Sequence, residues 1–272
     1  MDPAFARIEK ETLLEVKGVS LRLGGNLILR DLNAVIKNIV GRGQVVGFLG
    51  PSGIGKTQFL RILAGLQEPT TGTVLITGDQ KPVKCGDVGV VSQNYELFDN
   101  RTVLSNLTFA ARRKGFSRKE AKERALEMLK VFDLLDRARY YPAQLSGGQR
   151  QRTAITQQLL CSEHFLLMDE PFSGLDPKNL GTVSALIQKV ASADELNTII
   201  IVTHDIAAAV SVADTLWLMG RDYDAEGKVI PGAYLKEEID LVARELVWHP
   251  EITKTAKFSN FVREVRTKFD SL

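Results

Sequence analysis

The stretch Gly50-Pro51-Ser52-Gly53-Ile54-Gly55-Lys56-Thr57 has the form G-x-x-x-x-G-K-[ST], and its flanks say what kind of chain carries it. Before it, Gln44-Val45-Val46-Gly47-Phe48-Leu49 is a short apolar run ending at a glycine, as expected of a strand buried inside a parallel sheet. After it, Phe59, Ile62, Leu63 and Leu66 recur at helical spacing and predict a helix over Gln58–Leu66. Strand, glycine loop and helix in that order make a phosphate cradle. Glycines let the backbone turn its N–H groups inward, and the helix start adds free donors and the positive end of its dipole. In such a loop Lys56 reaches the β- and γ-phosphates and the Thr57 hydroxyl ligates Mg²⁺. By itself the loop predicts binding of a nucleoside triphosphate and no more.

Working outward, Leu13 to Leu23 alternates apolar and polar residues up to the turn pair Gly24-Gly25, and Val74-Leu75-Ile76 reads as a further strand between Gly72 and Gly78. The middle of the chain becomes helical. Ser117-Arg118-Lys119-Glu120 is a capping-box pattern, and Ala121, Ala125, Met128, Leu129 and Phe132 fall on one face behind it. From Phe165 strands and helices alternate again. Phe165–Met168, Thr198–Thr203 and Thr215–Met219 are the strands. One helix opens at Asp176-Pro177 and buries Leu180, Val183, Ile187 and Val190; another spans Ile206–Val212. The pattern is that of an α/β core interrupted by a helical insertion.

Composition removes other classes. In 272 residues, 44% are hydrophobic and 25% charged, so neither disorder nor a collagen-like repeat is expected. Lys+Arg 35 against Asp+Glu 33 leaves +2, too weak a bias to call for nucleic acid as partner. Two cysteines, Cys85 and Cys161, suit a reducing compartment and no disulfide framework. Met1 to Lys10 offers no secretory h-region, and the longest apolar runs are strand-sized, against about 20 residues needed to cross a bilayer. The cluster Arg112, Arg113, Lys114, Arg118, Lys119 reads first as a solvated rim, with a partner contact as the alternative.

Asp169-Glu170 closes one strand and His204 another, at the carboxyl ends where open α/β sheets place ligands. Asp169 there can hold Mg²⁺, and Glu170 can polarise a water beside a γ-phosphate. Taken singly, an acidic pair more often ends a strand and caps a helix, and a lone histidine more often only hydrogen-bonds. Beside the glycine loop both gain weight. His164 and His249 gain none, and Cys161 with His164 makes at most half a zinc site. Leu145-Ser146-Gly147-Gly148-Gln149 runs through Arg150-Gln151-Arg152 into a helix carrying Ala154, Ile155, Leu159 and Leu160. Its hydroxyl and glycine N–H groups form a second anion nest. One nucleotide cannot easily use both nests within one subunit.

In these motifs, in this order, the chain resembles the ATP-binding subunits of ABC transporters from about Leu14 to about Met219. Gly50–Thr57 is similar to Walker A, Gln93 to the Q-loop glutamine, Leu145–Gln149 to the ABC signature and Phe165–Glu170 to Walker B with its glutamate. Ser173-Gly174-Leu175-Asp176 is similar to the D-loop and His204 to the switch histidine. The resemblance implies an α/β P-loop NTPase core with a mainly parallel sheet, an N-terminal antiparallel β subdomain and an α-helical subdomain inserted at about 95–160. The ATPase domain would span 12–225, and a partly helical C-terminal extension 226–272.

It also implies ATP and Mg²⁺ as cofactors. Glu170, His204 and Gln93 would carry hydrolysis, and Thr57, Gln93 and Asp169 would hold the metal. Gly50, Pro51, Ser52, Gly53, Ile54, Gly55, Lys56, Thr57, Gln58 and Leu23 would meet the nucleotide in one copy. Ser146, Gly147, Gly148, Gln149 and Asp176 would meet it from a second copy. In that family two subunits pair head-to-tail around two ATP molecules, which accounts for two nests in one chain. Loss of the γ-phosphate loosens the pair and moves the membrane domains, a ligand-driven population shift. Two positions depart from the pattern: Leu23 stands where an adenine-stacking aromatic is usual, and Gln58 where Ser or Thr follows the metal threonine.

Importer subunits resemble the chain best. Gln93–Phe98 with Thr102–Leu107 looks like their membrane-partner docking region, and Tyr141-Pro142-Ala143-Gln144 before the signature also reads like an importer. Tyr234–Leu241 and Ala243–Pro250 look similar to the nitrate, sulfonate and taurine importer group. The implied partners are a second copy, an integral permease and an external solute-binding protein, at the cytoplasmic face of a bacterial inner membrane. The rival is a soluble ABC-type ATPase acting as a mechanical or regulatory factor without a permease. Ser259 to Phe269 predicts an amphipathic helix folded onto its own domain, with a docking helix as the alternative.

Overall fold

The computed structural model describes residues 11–76, 81–162, 164–175, 177–247, 251–269 and 272. Strands β1 (Thr12–Leu23) and β2 (Asn26–Lys37) form a hairpin that turns at Gly24-Gly25, both with positive φ. After β3 (Gln44–Leu49) come helix α1 (Lys56–Leu63), β4 (Thr71–Ile76), β5 (Lys81–Pro82) and β6 (Gly89–Val91). The hairpin, β4 and β5 make an antiparallel sheet in the order β2-β1-β4-β5, the expected N-terminal β subdomain.

The middle of the chain supplies α2 (Val103–Arg113), α3 (Arg118–Val131) and α4 (Gly147–Cys161). Each begins on a side chain that accepts a backbone N–H: Thr102 from Ser105, Ser117 from Glu120 and Ser146 from Gln149. At the last two, the third helical residue returns the bond, completing a capping box. Then follow β7 (Phe165–Asp169), α5 (Pro177–Ala191), β8 (Thr198–Thr203), α6 (Ile206–Val212), β9 (Thr215–Gly220), β10 (Tyr234–Asp240) and α7 (Ala256–Phe269).

The second sheet has the order β10-β9-β3-β8-β7-β6, parallel except for β10. Its middle strands are buried on both faces, so successive residues enter different cores. Val45, Leu49, Leu166, Met168, Ile199 and Ile201 join Leu107, Leu129, Ile155, Ile187, Ala209 and Phe261 from α2 to α7. Val46, Phe48, Leu167, Ile200, Val202 and Trp217 join α1 and the antiparallel sheet.

One expectation needed adjustment. The first helix starts at Lys56 and stops at Leu63, and Leu66 lies beyond it, half exposed. Gly65 ends that helix with φ +65, and its N–H and that of Leu66 return to Ile62 O and Arg61 O. A side chain at Gly65 would also meet the Lys84 backbone at 2.5 Å. Thr102–Leu107, expected within a docking region, forms the cap and first turns of α2. Tyr234–Asp240 adds an antiparallel edge strand to the core sheet. The C-terminal helix folds onto its own domain as expected, with Phe258, Phe261 and Val265 buried.

Candidate functional site

Four parallel strands end side by side, and several of the residues expected to form a site lie at or just past their carboxyl ends. In the register, Leu49 pairs with Thr203, Asp169 with Val202, and Val91 with Met168. The glycine loop thus leaves β3 beside Thr203 and His204 from β8, then Asp169 and Glu170 from β7, then Gln93 just past β6.

At the loop, Gly55 is the N-cap of α1 with φ +119, a backbone region disfavoured for side chains, and a Cβ there would meet Leu29 at 2.9 Å. No side chain caps α1, so its first N–H groups face the loop. Lys56 is buried and donates to Gly50 O at 2.6 Å and Pro51 O at 3.0 Å. Ser52, Gly53 and Thr57 are exposed, Pro51 and Gln58 half-buried. Ile54 turns its side chain into the core, leaving only its backbone to the site.

Burial pushes the Lys56 ammonium below its ordinary value, against the pull of Glu170 and Asp169. Burial, then the neighbouring Glu170, pushes the Asp169 carboxyl above its ordinary value, and Lys56 and a hydrogen bond with Thr57 pull it back. A carboxylate and a hydroxyl side by side fit a hard divalent cation that completes its oxygen shell with phosphates and water. Asp169 and Thr57 therefore suit Mg²⁺. Gln93 is exposed and donates to Ser173 Oγ at 3.3 Å.

Glu170 has φ +50, unusual for a side-chain-bearing residue. Its N–H donates to Val202 O at 2.8 Å; Thr203 Oγ1 donates to its Oε2 at 2.9 Å; and His204 Nδ1 lies 2.8 Å from its Oε1. The loop, the acidic pair and the histidine are therefore one constellation. Leu23 is the last residue of β1, 40% exposed. Asp176 and His249 lie outside the described residues.

The Ser146–Gln149 turn lies at the start of α4, with Gly147 and Gly148 exposed. Its capping box uses the Ser146 and Gln149 backbone N–H groups, so the Gly147 and Gly148 N–H groups and the hydroxyl hydrogen are what it can offer an anion. Arg150 Nε donates to Tyr95 O, and the buried Gln151 donates to Pro171 O, which also accepts from Tyr95 O–H. Through these bonds α4 reaches the turn that carries Glu170.

Sequence reading missed Thr203 and Gln151 as site residues. A hydroxyl right after the apolar run Ile199–Val202, and an amide on the helix face shared by Ala154 and Ile155, were the available signals. Cys161 points back to its own helix, 3.4 Å from Gln158 O.

Residues 35–173 match the family described as ABC transporter. The chain belongs to the ABC transporter family. Among curated relatives of this ABC protein is the Fe(3+) ions import ATP-binding protein FbpC of Vibrio cholerae, 34% identical over 215 residues, covering 78% of this chain and 60% of the relative. Another is the probable ABC transporter ATP-binding protein PEB1C of Campylobacter jejuni, 36% identical over 214 residues, covering 76% of this chain and 86% of the relative. The ABC chain spans about six-tenths of the length of FbpC. A solved ATP-binding cassette, dimeric in a post-hydrolysis state with ADP and Pi, superposes with a TM-score of 0.67 at 29% identity, over 84% of this chain and 99% of that one. Among the described residues of this ABC protein no helix is long and apolar enough to cross a membrane.

Proposed function

We propose that this chain hydrolyses ATP with Mg²⁺ and drives solute import through a separate permease at the cytoplasmic face of the membrane. The observation that carries the reading is the position of Glu170, clamped by Thr203 and His204 beside the loop that carries Lys56. The loop N–H groups and Lys56 bind the β- and γ-phosphates. Mg²⁺, held by Thr57 and Asp169 with Gln93 alongside, would neutralise charge that develops on them. Glu170 accepts a hydrogen bond from the attacking water and aims it at the γ-phosphorus. A bond forms from the water oxygen to phosphorus, the bond to the β-phosphate oxygen breaks, and ADP and phosphate result. His204, 58% exposed, can turn from Glu170 to the γ-phosphate.

The second nest supports a head-to-tail dimer in which Ser146–Gln149, with Asp176, of one copy completes the site of the other. The solved dimeric cassette supports the same arrangement. The permease would dock where Arg101, Arg112, Arg118 and Lys122 converge with Leu104 and Phe109 on a groove of about 420 Å³ between α2 and α3. That groove asks for an acidic, partly apolar segment. An ATPase domain at 12–225 with a helical lobe at about 95–160 and an extension at 226–272 is part of the proposal.

Iron import in the name of one relative supports the importer reading over a factor that works without a permease. An external solute-binding protein and a place in the nitrate, sulfonate and taurine importer group belong to the same proposal. That group placement rests on the likeness at Tyr234–Leu241 and Ala243–Pro250, and the solute itself meets the permease and binding protein rather than this chain. Leu23 offers adenine an apolar contact in place of stacking. Glu170→Gln should still bind ATP, lose turnover and run as a dimer on gel filtration with ATP; phosphate release at the wild-type rate would refute the assignment.

A further inference from the structure

We infer that Thr203 is the positioning residue that holds Glu170 in its working orientation; this rests on the ATPase reading above. Thr203 is the last residue of β8 and has no exposed surface. A buried hydroxyl needs partners, and this one has two. It donates its hydrogen to Glu170 Oε2 at 2.9 Å and accepts the Asp205 N–H at 3.1 Å. The hydroxyl has a single hydrogen, which goes to Glu170, while one of its two lone pairs accepts the Asp205 N–H and holds the rotor in place.

Glu170 is therefore tied to β8 at consecutive positions. Its backbone N–H bonds Val202 O, and its carboxylate bonds Thr203. With φ at +50 the backbone at Glu170 is in a sparsely populated region, which persists where surroundings over-determine it. His204 holds the other carboxylate oxygen from an exposed ring, while Thr203 is enclosed. The two bonds thus differ in permanence. When the imidazole swings toward a phosphate, Thr203 remains as the fixed hold, and one carboxylate oxygen stays free for the water. Valine matches the shape of threonine without the hydroxyl; serine keeps the hydroxyl without the methyl.

The test compares full-length Thr203→Val, Thr203→Ser and Glu170→Gln by phosphate release and by titration with a fluorescent ATP analogue. Thr203→Val should lower kcat about ten- to hundred-fold, as misplacement of a catalytic group does, with KM and nucleotide affinity within about twofold of wild type. Thr203→Ser should return kcat to within about threefold. Unchanged kcat in Thr203→Val, affinity lost in parallel with kcat, or a serine variant as impaired as valine would each overturn the inference. Should the valine protein not fold, Thr203→Ala against Thr203→Ser makes the same comparison, and equal rates in that pair overturn it. Wild-type protein without phosphate release, or an equally active Glu170→Gln, overturns the ATPase reading itself and this inference with it; wild-type turnover lost in Glu170→Gln with normal Thr203→Val overturns this inference alone.

Discussion

Asp169 is held above its ordinary carboxyl value of 3.8 chiefly because its strand end is buried, and next because Glu170 lies beside it. A folded value above the unfolded one means that the folded state prefers the protonated acid. That contribution to stability is complete below the ordinary value and is lost as pH rises through the raised one. At pH 7 without Mg²⁺ the site therefore carries a cost that a neutral amide of the same shape would lack. Asp169→Asn should melt at a higher temperature than wild type at pH 7, with the gain vanishing as pH falls below the carboxylate range. A lower melting temperature at pH 7 would contradict this. Residues of this kind were legible before the structure: Lys56, Asp169, Glu170 and His204 follow short apolar runs or glycine turns, and strand ends are where such groups converge. Thr203 was not, because a threonine at a strand end fits β propensity as well as it fits a site, and only the distance to Glu170 separates the two roles.

Among the helices, α2 shows how one buried polar side chain can fix a neighbouring loop. Asn106 has no exposed surface; its Oδ1 accepts from Phe98 N, and its Nδ2 lies within 3.2 Å of Phe98 O, Arg101 O and Thr102 O. The loop so pinned presents Phe98, which packs edge-on against Phe109, with Arg101 over both rings. Asn106→Ala should lower unfolding free energy by about 1–3 kcal/mol in urea titrations, the cost of stranding buried backbone groups. It should also weaken co-purification of the permease, since Arg101 and Phe109 line the proposed docking groove. A variant with unaltered stability would remove Asn106 from this role. The capping box at Ser117 was legible because its partner sits three residues away, and the structure shows the same spacing at Ser146. The strand Tyr234–Asp240 was hidden for the opposite reason: as an edge strand it buries Ile239 while Lys236, Glu237 and Glu238 interrupt any alternation, and its partner β9 lies beyond a hairpin.

Across the molecule, one sheet separates two cores, and what closes the helical one is the C-terminal helix. Phe261 of α7 is 5% exposed within the cluster that also contains Ala209 and Val212 of α6. Arg244 stacks over its ring and pairs with Glu264, and Lys268 pairs with Glu237 of β10. Those ion pairs are partly exposed and weak by nature, so the apolar contact dominates. The Leu272 carbonyl then accepts the Arg221 N–H just past β9. The expectation of a helix folded on its own domain came from the spacing of Phe261, Val262, Val265 and Phe269, and the structure buries Phe261 and Val265 while leaving Arg263, Glu264 and Arg266 outward. A docking helix would keep its apolar face available to a partner; this one has already spent that face. Phe261→Ala should therefore cost about 3–5 kcal/mol, as aromatic truncation in a core does, and lower Tm by roughly 6–20 °C for a chain of this size. Phosphate release measured well below that Tm should stay at the wild-type rate, because the site lies at the carboxyl ends of β3, β7 and β8 whereas α7 packs chiefly against α6. A melting curve superimposable on wild type would show that α7 is dispensable to the core, and a stable protein that loses turnover would show that the helix reaches the site instead.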